Sequence, residues 1–283
     1  RLFTVVNASL YLSNVVVSNG NAVYGGAIAA SRSKLTIEGV RFDGNKAVVG
    51  GGALSLSDGA IVSFSKEAAF VNNTAGRGGG IYVTSGSNVS YTGNTTFYKN
   101  VATKGDGGAL YLTNHSSLVW KAASHFLDNN AGGNGGALYL SNASSAVWIA
   151  ESSFSTNRAG YDGGALYFAG ASSATWNEKS LISNNIAENS GAEGDGGALH
   201  LWGGSSVTWN AETLFSTNRA EDDGGALQLS DGSNATWNAG SSFSNNSACW
   251  NGGALYLSGS SSTTWNAVST FSTTFAEENG GVF

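Results

Sequence analysis

The residues of this 283-residue chain that carry chemistry stand in columns. Asp106, Asn134, Asp162, Asp195, Asp223, Asn251 and Asn279 each stand just before a Gly-Gly pair. Asp-Gly and Asn-Gly are turn formers, so the column reads first as a set of equivalent turns. Stacked carboxylates repel unless Asn interrupts them, as Asn134 does, or a cation bridges them; Asp195, Asp222 and Asp223 are where a calcium ion would sit. The Gly-Gly-x-Gly-x-Asp pattern of calcium-binding β-helices is absent, and no metal or other cofactor is expected. His115, His125 and His200 fall in different columns and make no ligand set. Arg158 and Arg219 share a column two repeats apart, in turns. Cys249 has no histidine near it by sequence or column, which argues against an activated thiol, and one cysteine allows no intrachain disulfide. Carbohydrate-cleaving sites need paired carboxylates on one face. A polysaccharide-active enzyme is therefore a distant alternative, and the chain reads as no enzyme.

A second set of candidates is chemical only in a eukaryotic secretory route. Asn-x-Ser/Thr sequons occur at Asn7, Asn72, Asn88, Asn94, Asn114, Asn142, Asn234 and Asn245. Glycans there would mark exposed faces. Asn114 and Asn142, in the same turn of adjacent repeats, are the best placed.

Composition limits the partners. The net charge is −6, which disfavours nucleic acid and anionic lipid. No apolar run approaches the roughly 20 residues of a membrane-spanning helix. Glycine contributes 41 residues and proline none, yet the glycines keep a fixed phase, unlike those of a flexible linker.

The elements that position these residues follow from that phase. The second glycine of each pair falls at 26, 52, 79, 108, 136, 164, 197, 225, 253 and 281, mostly 28 residues apart. Such a period marks a repeat architecture. In residues 135–162 the pair makes a turn and Ala137 to Ser141 alternates as a strand, with Leu138 and Leu140 inward and Tyr139 outward. Ser144 to Ala150 alternates again, around Trp148, and a third strand runs from Phe154 to Asn157. Three short strands and three turns in 28 residues make one coil of an all-β, right-handed parallel β-helix of about ten coils, one solenoid over residues 1–283. Five extra residues fall near 186–195 and predict a loop on one face.

Equivalent residues form rows along the stack. The tryptophan row reads Leu10, Ile37, Phe64, Tyr91, Trp120, Trp148, Trp176, Trp209, Trp237 and Trp265. The phenylalanine row runs from Val16 through Phe126, Phe154, Phe215 and Phe243 to Phe271. The asparagine row starts at Asn19 and includes Asn129, Asn157, Asn185, Asn218 and Asn246. At the strand spacing of about 4.8 Å these rows predict aromatic stacks inside and amide ladders at the turns, and a rod about 48 Å long. Outward rows offer Tyr82, Tyr111, Tyr139, Tyr167, His200, Gln228 and Tyr256 on one face, with Ser, Thr and Asn ladders such as Asn177, Asn210, Asn238 and Asn266 on another. Flat threonine arrays bring ice binding into view as a distant alternative.

Gly-Gly-Ala-Leu/Ile paired with Phe-x-x-Asn in one register resembles the repeat of the chlamydial-type polymorphic outer-membrane proteins. The first motif is intact at Gly25–Ile28, Gly51–Leu54, Gly107–Leu110, Gly135–Leu138, Gly163–Leu166, Gly196–Leu199, Gly224–Leu227 and Gly252–Leu255, the second at Phe42, Phe70, Phe97, Phe126, Phe154, Phe215 and Phe243. The resemblance implies a secreted β-helical passenger displayed at a cell surface, often an adhesin for host receptors or glycans.

The ends suggest a further role. With Leu10 as the first residue of the tryptophan row, a second copy following Phe283 continues the 28-residue phase. Residues 1–24 and 280–283 then form a head-to-tail joint, and the expected function is an extracellular structural filament, with an adhesin passenger as the alternative.

Overall fold

Short alternating runs separated by glycine and polar turns cannot bury an apolar face alone, so they stack. The structure, a computed structural model, describes residues 1–188 and 194–277, and within them it is entirely strand and turn. Every pairing is parallel, and each partner lies one coil onward: Leu110 with Leu138, then Leu166, Leu199 and Leu227. The result is a β-solenoid of about ten turns with three sheets. A leucine sheet and an alanine sheet have ten strands each. The tryptophan and phenylalanine strands share the third, bent sheet, and in two early coils they fuse into the continuous strands Lys34–Asp43 and Ile61–Val71.

A coil such as residues 138–159 contains Leu138–Leu140, Ser145–Trp148, Ser152–Ser155 and Arg158–Ala159. The last pair, expected in a turn, is a strand of the alanine sheet. The reason is a corner one residue before the buried asparagine. Lys99, Asp128, Thr156, Asn184, Thr217 and Asn245 all take positive φ there, a left-handed conformation unfavourable for residues with a Cβ. The asparagine row compensates by bonding the corner together. Asn157 Oδ1 accepts from both Asn129 N and Asn129 Nδ2 at 3.0 Å, and Asn157 Nδ2 donates to Phe126 O and to Asn185 Oδ1. The same pattern runs through Asn185, Asn218 and Asn246.

Inside, Trp120, Trp148, Trp176, Trp209 and Trp237 are fully buried. Their rings stack at 4.6, 4.3, 5.5 and 4.8 Å, and Trp237 on Trp265 at 3.8 Å. Phe126 stacks on Phe154 and Phe215 on Phe243, each edge-on to its tryptophan. Burying each such ring contributes roughly 2–3 kcal/mol. The core is continuous from Val5 to Leu255.

The first coil differs from expectation. Leu12, not Leu10, pairs with Ile37 on the tryptophan row, and Val17, not Val16, pairs with Phe42. Asn19 is a left-handed corner residue, and Gly20 holds the ladder position, donating its N–H to Asn45 Oδ1. This coil is shorter than the rest, its rows lying 25 residues from those of the second. Inward alternation and parallel bonding fix the register, so the lost residues come out of the turns. Counted from Gly281 into a following copy, the step to the tryptophan row becomes fourteen residues, against the twelve that separate Gly136 from Trp148. Residues 280–283 of that joint lie outside the described residues, as do residues 189–193 of the expected insertion. On either side of the insertion the stack keeps register, with Ile186 opposite Arg219 and Asp195 N donating to Asp162 Oδ1.

Candidate functional site

The middle residue of each leucine strand points away from the coil interior. It was expected in solvent, but Tyr111, Tyr167, His200 and Gln228 are buried, with His200 only 5% and Gln228 4% exposed. The segment between the alanine strand and the glycine pair folds back across this row. Glycine makes the approach possible: a Cβ on Gly78 would lie 3.1 Å from Tyr111 Cβ, and one on Gly163 3.2 Å from Tyr167 Cβ. Under this cover Tyr82, Tyr111, Tyr139 and Tyr167 stack at 4.8–5.3 Å, and His200 meets Tyr167 edge-on at 5.2 Å. Burial, then neighbouring carboxylates (Asp106 for Tyr139, Asp162 for Tyr167), raises both phenols well above their usual range.

The covering segment carries the acidic column. Each Oδ1 accepts the backbone N–H of the next column member: Asn134 onto Asp106, Asp162 onto Asn134, Asp195 onto Asp162, Asp223 onto Asp195 and Asn251 onto Asp223, all at 2.9–3.1 Å. Folding this column over the outward row brings Asp162, Asp195 and His200 together, with one ligand atom from each within 4.8 Å of the others. His200 Nδ1 lies 3.4 Å from Asp162 Oδ2 but in no hydrogen-bond geometry, and its Nε2 pairs with Ser230 Oγ at 2.9 Å. Of Asp195, Asp222 and Asp223, where a calcium ion would have sat although no metal was expected, only Asp195 joins this group. Asp222 Oδ2 accepts from Gly194 N, and Asp223 Oδ1 takes both N–H and Nδ2 of Asn251. Asp195, Asp222, Asp223, Gln228, Trp250 and Tyr256 line a neighbouring cleft of about 390 Å³.

Burial pushes the Asp195 carboxyl up to about 7, with Asp162 and Asp223 adding to the rise and His200 and the Asp223 N–H opposing it. Between about pH 4 and 7 the folded chain keeps this proton while the unfolded chain releases it. Stability from this site therefore falls as pH rises through that window and levels off above it. Asp195→Asn cannot ionise, and Asn134 and Asn251 show that the amide fits this row. In chelator at pH 8 the variant is expected to be more stable than the parent by on the order of 2 kcal/mol, with the gain vanishing near pH 4. Urea unfolding across that pH range checks the sign.

The remaining candidates stay apart. Arg158 pairs with Glu188 and Arg219 with Glu221; both arginines are strand residues of the alanine sheet. Cys249 Sγ lies 3.7 Å from Arg219 Nη2 and is half-buried. His125 is exposed and shares a 2.8 Å hydrogen bond with Ser153. All eight sequon asparagines are exposed. Asn142 Nδ2 donates to Asn114 Oδ1 at 3.1 Å, so these two amides occupy one another. On the tryptophan face Asn177, Asn210, Asn238 and Asn266 form an exposed amide ladder at 2.7–2.9 Å. Among the described residues no helix is long and apolar enough to cross a membrane.

The histidine was legible only in part. Asp195 and His200 lie five residues apart across the glycine pair, a spacing that permits contact only if the turn folds back on its own strand.

Fold and rows together define a parallel β-solenoid repeat protein whose polar rows are ladders. Three stretches, residues 67–84, 94–113 and 240–258, match the Chlamydia polymorphic membrane protein repeat, each spanning a phenylalanine strand or glycine pair of this stack. No curated protein and no solved structure matches the chain significantly.

Proposed function

We propose that the chain is a rigid rod of a cell-surface protein, a structural element that presents adhesive lateral faces, and not an enzyme. One observation carries the reading: a single apolar core runs in register through the whole stack while its outer rows are polar ladders. The match to a repeat named for chlamydial membrane proteins supports the surface location. Stacked amide and hydroxyl rows suit hydrogen bonding to glycans or to a receptor. Immunolabelling of intact source cells is expected to give a signal that external protease removes. Labelling that requires permeabilised cells would refute the surface role.

End-to-end self-association through residues 1–24 and 280–283 is the second reading. Electron micrographs of the purified chain decide between the readings. Isolated rods about 48 Å long favour a surface rod alone, and continuous filaments with that axial repeat favour assembly.

A further inference from the structure

We propose that Asp162, Asp195 and His200 form a binding site for a divalent transition-metal cation of the zinc class. The three ligand atoms lie within 4.8 Å of one another, close enough for one ion to bridge them after small side-chain movements. The donors are held from behind. Asp162 Oδ1 and Asp195 Oδ1 each accept a backbone N–H, which leaves the second oxygen of each carboxylate for an ion. His200 Nε2 is anchored on Ser230 Oγ, and such an outer hydrogen bond fixes an imidazole for ligation through its other nitrogen.

One observation separates this group from a mere acidic cluster. His200 is 5% exposed, and its Nδ1 points toward Asp162 with no hydrogen bond. Buried polar atoms are normally satisfied, so this nitrogen points to a missing partner. The half-buried Asp162 and the buried Asp195 also place negative charge beside His200 that a cation neutralises.

The donor set selects the ion. Calcium takes six to eight oxygens and flexible geometry. An imidazole with two carboxylates suits zinc and its neighbours, which accept three protein ligands and an open position. Asp222 and Asp223, which would enlarge an oxygen shell, lie outside the group whose ligand atoms come within 4.8 Å of one another.

The test uses the full chain with Cys249→Ser, which removes the only thiol, after chelator treatment. Calorimetric titration with Zn²⁺ at pH 7.5 is expected to give one site per chain. His200→Gln and Asp195→Asn are each expected to weaken it at least about tenfold. His115→Gln and His125→Gln, at exposed positions outside the cluster, leave it unchanged. Circular dichroism shows that each variant keeps its strands, and Asp162→Asn provides a third probe should one fail. Absence of Zn²⁺ binding, or binding indifferent to His200 and Asp195, overturns the site. Calcium bound as tightly as zinc overturns the choice of ion.

Discussion

Replacing Gly136 with alanine is expected to divide the solenoid into two separately unfolding halves. The two glycines of each pair serve different ends. Gly135 has φ of 64°, which a side chain disfavours. Gly136 is required for a close approach: a Cβ there would lie 2.2 Å from Gly164 O and 2.6 Å from both Arg158 N and Arg158 C. All three atoms are backbone, held by ladders to the next coil, so none can yield without breaking register. Each coil is stabilised by its neighbours, and a misfit in one rank interrupts the propagation of order along the stack. The expected loss is at least about 4 kcal/mol, the extreme end of single substitutions. Urea unfolding should turn from one transition into two, and limited proteolysis should cut near residues 128–165. Gly232→Ala is the control. Its φ is 73°, but nothing lies within 4 Å of the added Cβ, so only about 1 kcal/mol of conformational strain is expected. Equal effects at the two positions would refute the close-approach account.

Asn157→Ala is expected to cost about 3–5 kcal/mol. The side chain is fully buried and makes four hydrogen bonds across three coils. Truncation strips Asn129 N–H of its partner, removes the donor to Phe126 O and leaves a cavity, and each buried polar group left unmade costs about 1–3 kcal/mol. It also removes the bonds that hold Thr156 at its left-handed corner. Asn157→Asp separates hydrogen bonding from shape. The carboxylate fits the space, but its second oxygen faces Phe126 O and Asn185 Oδ1 where a donor stood. At neutral pH the loss should equal or exceed that of alanine. As pH falls the buried carboxyl protonates above its ordinary range and regains one donor, so the deficit shrinks toward pH 4 and below. Urea midpoints measured from pH 4 to 8 follow this. A deficit that does not change with pH would place the cost in packing alone.

The sequence by itself determined everything that depends on repetition. The 28-residue phase, the inward tryptophan and phenylalanine rows and the asparagine ladder follow from residue type at fixed intervals, because a parallel stack sets each residue directly over its counterpart. It did not determine where the short first coil gives up its missing residues. Leu12 and Val17 enter their rows through register, which strand pairing enforces and local spacing does not. It also left the acidic column and the outward tyrosine row as separate surfaces. Only the tertiary structure folds one over the other, since that depends on a glycine-lined approach between backbones within a coil. Asp162, Asp195 and His200 meet there, in a contact between rows that no single row reveals.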